Sequence, residues 1–224
     1  MNKLLLPLLA TSLLLPTSIS VDAASKATVV TKYAHDKKNL KYPYVSKGLT
    51  TSVRKTINAD LTGYSKFLYQ TYLDTEAFEK QEKKKDYCKE LPATCNFTFD
   101  SSYKRVGDNA SYLSFTVQNH TYLGGAHGST YKFGVNYSLK TGKEIRITSV
   151  LKTSTQMKKV ERYIYDRLKN NENYFVDHLS DIDVSNTSEF YFTKNGIKVI
   201  FQEYAIAPYV MGQPEIYVPK SVYQ

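Results

Sequence analysis

The stretch "NFTFDSSYKRVGDNASYLSFTVQNHTYL", residues 96–123, decides the fold. Apolar and polar residues alternate in both arms, "NFTFDSSYKRV" and "ASYLSFTVQNHTYL", with Gly107-Asp108-Asn109 between them. A period of two is that of a pleated strand, and Gly, Asp and Asn are turn residues. The stretch therefore predicts two strands joined by a turn.

Upstream, the period lengthens. Leu49, Val53, Ile57, Leu61, Tyr64, Leu68 and Tyr72 recur at threes and fours, which marks one apolar face of a long helix. Gly63 weakens this helix without breaking it. The charged run "EAFEKQEKKKDYCKE" either continues the helix or forms an exposed connection, and its Lys83-Lys84-Lys85 reads as a solvated face. Residues 25–46 are polar and basic, ending at the extended unit "YPYV". Downstream, "STYKFGVNYSL" and "KEIRIT" flank Lys140-Thr141-Gly142 as a second hairpin. "STQMKKVERYIYDRLKN" returns to helical spacing through Met157, Val160, Ile164 and Leu168, stopping at Asn170-Asn171. "EFYFT" and "IKVIFQEY" flank Lys194-Asn195-Gly196, a strong hairpin signal because Asn-Gly tolerates positive φ. The order helix, strands, helix, strands predicts an α+β fold with largely antiparallel sheet and two main helices.

Two stretches stand out as candidate sites. "YLGGAHGS" (122–129) sets three glycines and a histidine after a strand-like run, and reads as catalytic loop, binding surface or tight turn. "FQEYAIAPYVMGQPEIYVP" (201–219) carries Pro208, Gly212, Pro214 and Pro219, which forbid a continuous central strand. They hold a stiff loop presenting Tyr209 and Met211, which either bind a partner at low entropic cost or, for Tyr209, pack over the sheet edge.

Catalytic motifs are absent: no G-x-S-x-G elbow, H-E-x-x-H helix, phosphate loop or dinucleotide fingerprint occurs. Four histidines are present, His35, His120, His127 and His178. A Ser129–His127 pair oriented by a carboxylate such as Asp108 is the hydrolase alternative, although residues so close on one loop rarely reach that geometry. His120 and His127 lack a third metal ligand nearby. Asn-x-Ser/Thr tripeptides at Asn96, Asn109, Asn119, Asn136 and Asn186 are taken as chance matches in an Asn-rich chain.

The beginning of the chain reads as an export signal: Lys3, an apolar run from Leu4 to Leu15, and small residues at Ala23-Ala24 for cleavage. The run is short of the ~20 apolar residues that span a membrane. Cys88 and Cys95, the only cysteines, frame "CKELPATC" and are expected to form a structural disulfide. Among 224 residues the net charge is +9, which favours anionic partners or simply keeps the protein soluble. Twenty tyrosines without a tryptophan suit half-buried strands and binding surfaces alike.

"YLGGAHGST", then "NYSLKTGKEI", a helix, and "FYFTKNGIKVIFQEYAIAPYVMGQPEIYVP" together resemble the extracellular domain of the RsiV anti-sigma factor family. The same domain pair precedes the catalytic domain of some secreted peptidoglycan deacetylases. The resemblance implies an α+β fold of two packed subdomains, 25–125 and 126–224, behind a leader at 1–24. It also implies a binding surface at "GGAHGS" and "APYVMGQPE", carried by Gly124, Gly125, His127, Ser129, Pro208, Tyr209, Met211 and Gly212. The best-understood member of that family binds lysozyme through this domain. No cytoplasmic sigma-binding segment, membrane helix or deacetylase domain accompanies it here, so neither anti-sigma nor deacetylase activity is expected. Animal lysozymes are themselves basic, and two positive proteins repel at long range. The expectation is an exported, secreted or periplasmic, non-enzymatic protein that binds an anionic envelope polymer or glycan. A lysozyme-like partner is the alternative, and neither nucleic acid nor cofactor is expected.

Overall fold

In the computed structural model, which describes residues 27–224, the alternating stretch forms β3 (Thr98–Asn109) and β4 (Tyr112–Tyr122). They pair antiparallel, Asp100 opposite His120 and Ser102 opposite Gln118. The other edge of β4 pairs with β5 (Ser129–Ser138). The leader expected at 1–24 lies outside the described residues.

One face of this sheet is covered by α1 (Thr51–Glu82). The Thr50 hydroxyl caps it by accepting from the Val53 amide. Val53, Ile57, Leu61 and Leu68 are buried in one core with Leu113, Phe115 and Tyr137 of the sheet. The two readings of the charged run are resolved by a break: α1 continues to Glu82, and a short α2 (Asp86–Glu90) follows the lysines. The Cys88–Cys95 disulfide joins α2 to a 3-10 turn at Pro92–Cys95. Residues 27–47 form regular structure despite their polarity. They supply β1 (Thr28–Tyr33) and β2 (Lys41–Lys47), an antiparallel ribbon, because Leu40, Tyr42 and Val45 are buried in the α1 core. The Asn58 amide on α1 bonds both the N–H (2.9 Å) and the C=O (2.8 Å) of Val45.

The second core forms under α3 (Ser154–Leu168), whose N-terminus is closed by a Thr153–Gln156 capping box. Val160, Ile164 and Leu168 pack against β6 (Glu189–Thr193), β7 (Gly196–Ile200) and β8 (Glu215–Pro219), an antiparallel sheet in that order. The expected hairpin joins β6 to β7 through Lys194-Asn195, but without the positive φ expected of Asn-Gly: Gly196 opens β7 with an ordinary φ. α4 (Lys220–Tyr223) follows β8. All three sheets among the described residues are antiparallel, and the fold is α+β.

Some expectations need correction. The turn expected at Gly107-Asp108-Asn109 comes later: β3 runs on to Asn109, which pairs with Tyr112, and the chain turns at Ala110-Ser111. "KEIRIT" is not a strand: after one bridge, Tyr137 to Glu144, the chain turns into a 3-10 turn at Ile147–Ser149, because Ile147 is drawn into the second core. On either side of 125/126, β4 and β5 are paired strands of one sheet. The change of core comes later, between Tyr137, in the first, and Ile147, in the second.

The halves meet where β6 lies across the second face of the β3-β4-β5 sheet. Two glycines permit it. A Cβ on Gly134 would sit 1.7 Å from the Phe190 carbonyl oxygen, and one on Gly107 2.0 Å from that of Phe192. The buried Asn136 amide donates to Phe190 O (2.9 Å) and accepts from Phe192 N–H (3.2 Å) and the Ser114 hydroxyl (2.7 Å). It bonds β6 as a neighbouring strand would.

Candidate functional site

β6 covers only part of that face. Beyond it, Asp100 and Ser102 of β3, Gln118 and His120 of β4 and Thr130 of β5 line an open cleft of about 580 Å³. Its far wall is the loop 201–214 between β7 and β8, which contributes Glu203, Tyr209 and Gln213. Side chains of this loop replace a fourth strand at the β5 edge. Gln202 accepts from Lys132 N–H (3.0 Å) and donates to Lys132 O (2.6 Å). Glu203 accepts from Thr130 N–H (3.2 Å), while Gln213 donates to Thr130 O (3.0 Å) and Glu203 (2.7 Å). Each bond to Thr130 and Lys132 satisfies an edge group that would otherwise need water or another strand.

At the mouth of the cleft the two stretches singled out in the sequence come together. His127 stacks on Tyr209, ring centroids 4.0 Å apart at 25°, and Tyr204 lies 5.7 Å from Tyr209 at 28°. Nδ1 of His127 faces the Gly128 carbonyl at 2.8 Å, so that nitrogen carries the proton and Nε2 accepts from the Tyr204 hydroxyl at 3.4 Å. The Tyr209 hydroxyl donates to the same Gly128 carbonyl (3.0 Å). The three rings form an aromatic ledge, with His127 and Tyr204 exposed and Tyr209 half-buried between them. Beside it, a 3-10 turn at Tyr209–Met211, entered from Pro208 and ended by Gly212 at φ 62°, holds Val210 out at 89% exposure.

Close packing fixes the ledge from behind. Gly124 (φ 93°) and Gly125 (φ 88°) take the left-handed region that L side chains avoid. A Cβ on Gly124 would meet the Thr94 carbonyl at 2.8 Å, so the disulfide loop braces this turn. A Cβ on Gly128 would fall 2.4 Å from Cε1 of His120. His120, held by Thr130 Oγ1 at 3.0 Å, is thus the wall between ledge and cleft.

Ser129 stands apart from His127: it pairs with Thr121 in the β-ladder, and both His127 ring nitrogens are engaged elsewhere. The nucleophile–base contact that the hydrolase alternative needs is not made. His35 stacks on Tyr69 and His178 caps a 3-10 turn, so neither joins the site. Among the described residues no group of three or more His, Cys, Asp or Glu side chains is placed to hold a metal ion. No helix among them is long and apolar enough to cross a membrane. Asn119 and Asn136 are buried structural amides, with Asn119 accepting from the Tyr64 hydroxyl at 2.6 Å. The sequence reading missed Tyr204, Glu203 and Gln213, although all three lie inside the stretch it quoted.

Residues 31–130 match the family model described as "Deacetylase PdaC", and residues 143–221 match "Protein of unknown function (DUF3298)". The two matched segments leave most of β5 between them. Among individual proteins, the chain is 24% identical over 157 residues to the peptidoglycan-N-acetylmuramic acid deacetylase PdaC of Bacillus subtilis strain 168. That alignment covers 67% of this chain and 33% of the enzyme, so the chain spans about a third of the length of this relative. A DUF3298 family crystal structure from Bacteroides fragilis NCTC 9343 superposes with a TM-score of 0.59 at 18% identity. It covers 88% of this chain and 89% of that one, and establishes a shared fold.

Proposed function

We propose that the protein is an exported, non-enzymatic binding protein of the bacterial cell envelope, and that the ledge and cleft together receive a wall glycan. The observation that carries this reading is the convergence of residues 122–130 and 201–214 into one exposed aromatic surface beside an open polar groove. Flat rings fixed by their own hydrogen bonds lose little entropy on binding, and the groove supplies donors and acceptors for hydroxyls. The similarity to a deacetylase named for peptidoglycan, the disulfide and the leader-like sequence support an envelope location. The net charge of +9 steers acidic polymers toward the surface.

Titration with defined peptidoglycan glycan fragments, followed by calorimetry, tests this. Tyr204→Ala and Tyr209→Ala should each weaken binding about tenfold, as aromatic anchors do, without unfolding the protein. Saturable binding indifferent to both substitutions overturns the site. Turnover of muropeptides or esters that His127→Ala abolishes overturns the non-enzymatic reading.

A second reading rests on Val210 and Met211, apolar side chains held out on a stiff turn. Such a tip suits insertion into a cleft of a wall-active protein, and the resemblance to the RsiV extracellular domain points to a lysozyme-like one. Val210→Asp should abolish a protein complex and leave glycan binding intact.

A further inference from the structure

The ledge and cleft do not hold the excess positive charge of the chain, since Asp100 and Glu203 line the groove with Lys41 and His120. A second pocket, of about 440 Å³, differs in kind. It is walled by the β6–β7 turn, the start of α4 and the segment leading into α3. Lys152, Lys194 and Lys220 border it from these three separate segments, and no Asp or Glu side chain lines it. All three lysines are exposed, and none of their ammonium groups has an ion pair or hydrogen bond among the described residues. Its floor is apolar: Tyr112 stacks on Phe192 at 3.9 Å and 12°, with Ile145 and Val150 alongside.

Three ammonium groups around one pocket, with no Asp or Glu side chain in its lining, offer an anion with several oxygens a bond to each. Lysine acts as a mobile point charge and suits phosphate on a flexible carrier. The apolar floor gives the carrier's carbon skeleton a surface to lie on. The pocket lies at the opposite end of the β6-β7-β8 sheet from the 201–214 loop, roughly 16 Å away along five-residue strands. We infer that this pocket is a second, independent binding site for a phosphate group carried on a polyol or sugar.

The test is a titration of the ¹⁵N-labelled full chain with inorganic phosphate, glycerol 3-phosphate, N-acetylglucosamine 6-phosphate, neutral N-acetylglucosamine and a glycerol-phosphate oligomer. The phosphorylated carriers should give saturable shifts at residues 192–196 and 220–223, and neutral N-acetylglucosamine none. A monomer that binds as tightly as the oligomer identifies a free sugar phosphate as the source. Tighter binding of the oligomer identifies a polymer. Lys194→Gln should weaken binding several-fold, and the Lys152→Gln/Lys194→Gln/Lys220→Gln triple variant at least tenfold. Affinity should also fall as salt rises. Shifts that do not saturate, equal binding of the neutral sugar, or a triple variant that binds like the wild type overturn the site. Because the Tyr204 and Tyr209 variants should leave these shifts unchanged, this test and the glycan test fail independently.

Discussion

Over residues 113–116 the two faces of β4 are both buried, yet built on opposite principles. On one, Leu113 and Phe115 join the apolar core beneath α1. On the other, Ser114 and Thr116 are equally hidden, and Ser114 donates to the amide of Asn136, which in turn bonds the backbone of β6. An alternating strand by itself reads as one wet face and one dry face. Here the polar face is an interface, and its open remainder is the cleft. Apolar packing tolerates small shifts of its partners, whereas a face held by hydrogen bonds to particular backbone groups fixes one orientation. The site depends on that orientation, because loop 201–214 reaches the β5 edge only when the halves are docked as they are.

The apolar face should give the largest effect when broken. Phe115 is fully buried, with Tyr103 edge-on at 5.9 Å. Phe115→Ala should lower stability by about 3–5 kcal/mol in urea unfolding, as large-to-small core changes do. The polar face comes next. Asn136→Ala orphans Phe190 O, Phe192 N–H and the Ser114 hydroxyl together, and should cost about 2–3 kcal/mol. A loss under about 0.5 kcal/mol, the range of ordinary surface changes, would mean that β6 is not held as described.

The contrast also explains what the sequence made legible. Local periodicity carried α1, α3, the β3–β4 pair and the Asn-Gly hairpin, because each depends on residues close in the chain. Glycine and proline density marked both halves of the site. That His127 would stack on Tyr209, 82 positions later, has no local signature, and neither does the bonding of Gln202 to β5. "KEIRIT" has the alternation of a strand, but a pattern of period two does not say which core will claim Ile147. One local sign of the docking was present. Gly134, isolated in a strand pattern, marks a close backbone approach, here that of Phe190.

The disulfide tests whether the ledge depends on structure behind it. Its loop places the Thr94 carbonyl against Gly124, on the turn that carries His127. Replacing Cys88 and Cys95 by serine should cost roughly 2–3 kcal/mol by the chain-entropy account of a short loop. It should also weaken ledge binding while leaving the lysine pocket unaffected. Intact mass before and after reduction and alkylation checks the bond itself. Two freely alkylated thiols in protein recovered from its native compartment would remove the basis of this prediction.

The smallest effects come from two carboxylates at the docked interface that respond to pH with opposite sign. Burial raises the Glu215 carboxyl, but hydrogen bonds from Lys132 (2.6 Å) and the Tyr191 hydroxyl (2.6 Å) outweigh it and hold the group below its ordinary value. Its contribution is therefore present above the ordinary carboxylate range and lost as pH falls through the lowered value. Glu215→Gln should cost about 1–2 kcal/mol at pH 7, and the difference from wild type should close in strong acid. For Glu189, burial dominates over the bonds from Gly134 N–H (3.1 Å) and the Tyr131 hydroxyl (3.3 Å), and the carboxyl is raised. Its contribution is present below the ordinary range and lost as pH rises through the raised value, so at neutral pH its charge opposes folding. Glu189→Gln keeps an acceptor for Gly134 and removes that charge. It should stabilise the protein by up to about 1 kcal/mol at pH 7, with the gain vanishing near pH 4 and below. Urea unfolding of both variants across pH 3–8 separates the two. Curves for Glu189→Gln and Glu215→Gln that bend the same way would show that burial, and not the Lys132 contact, sets both carboxyls.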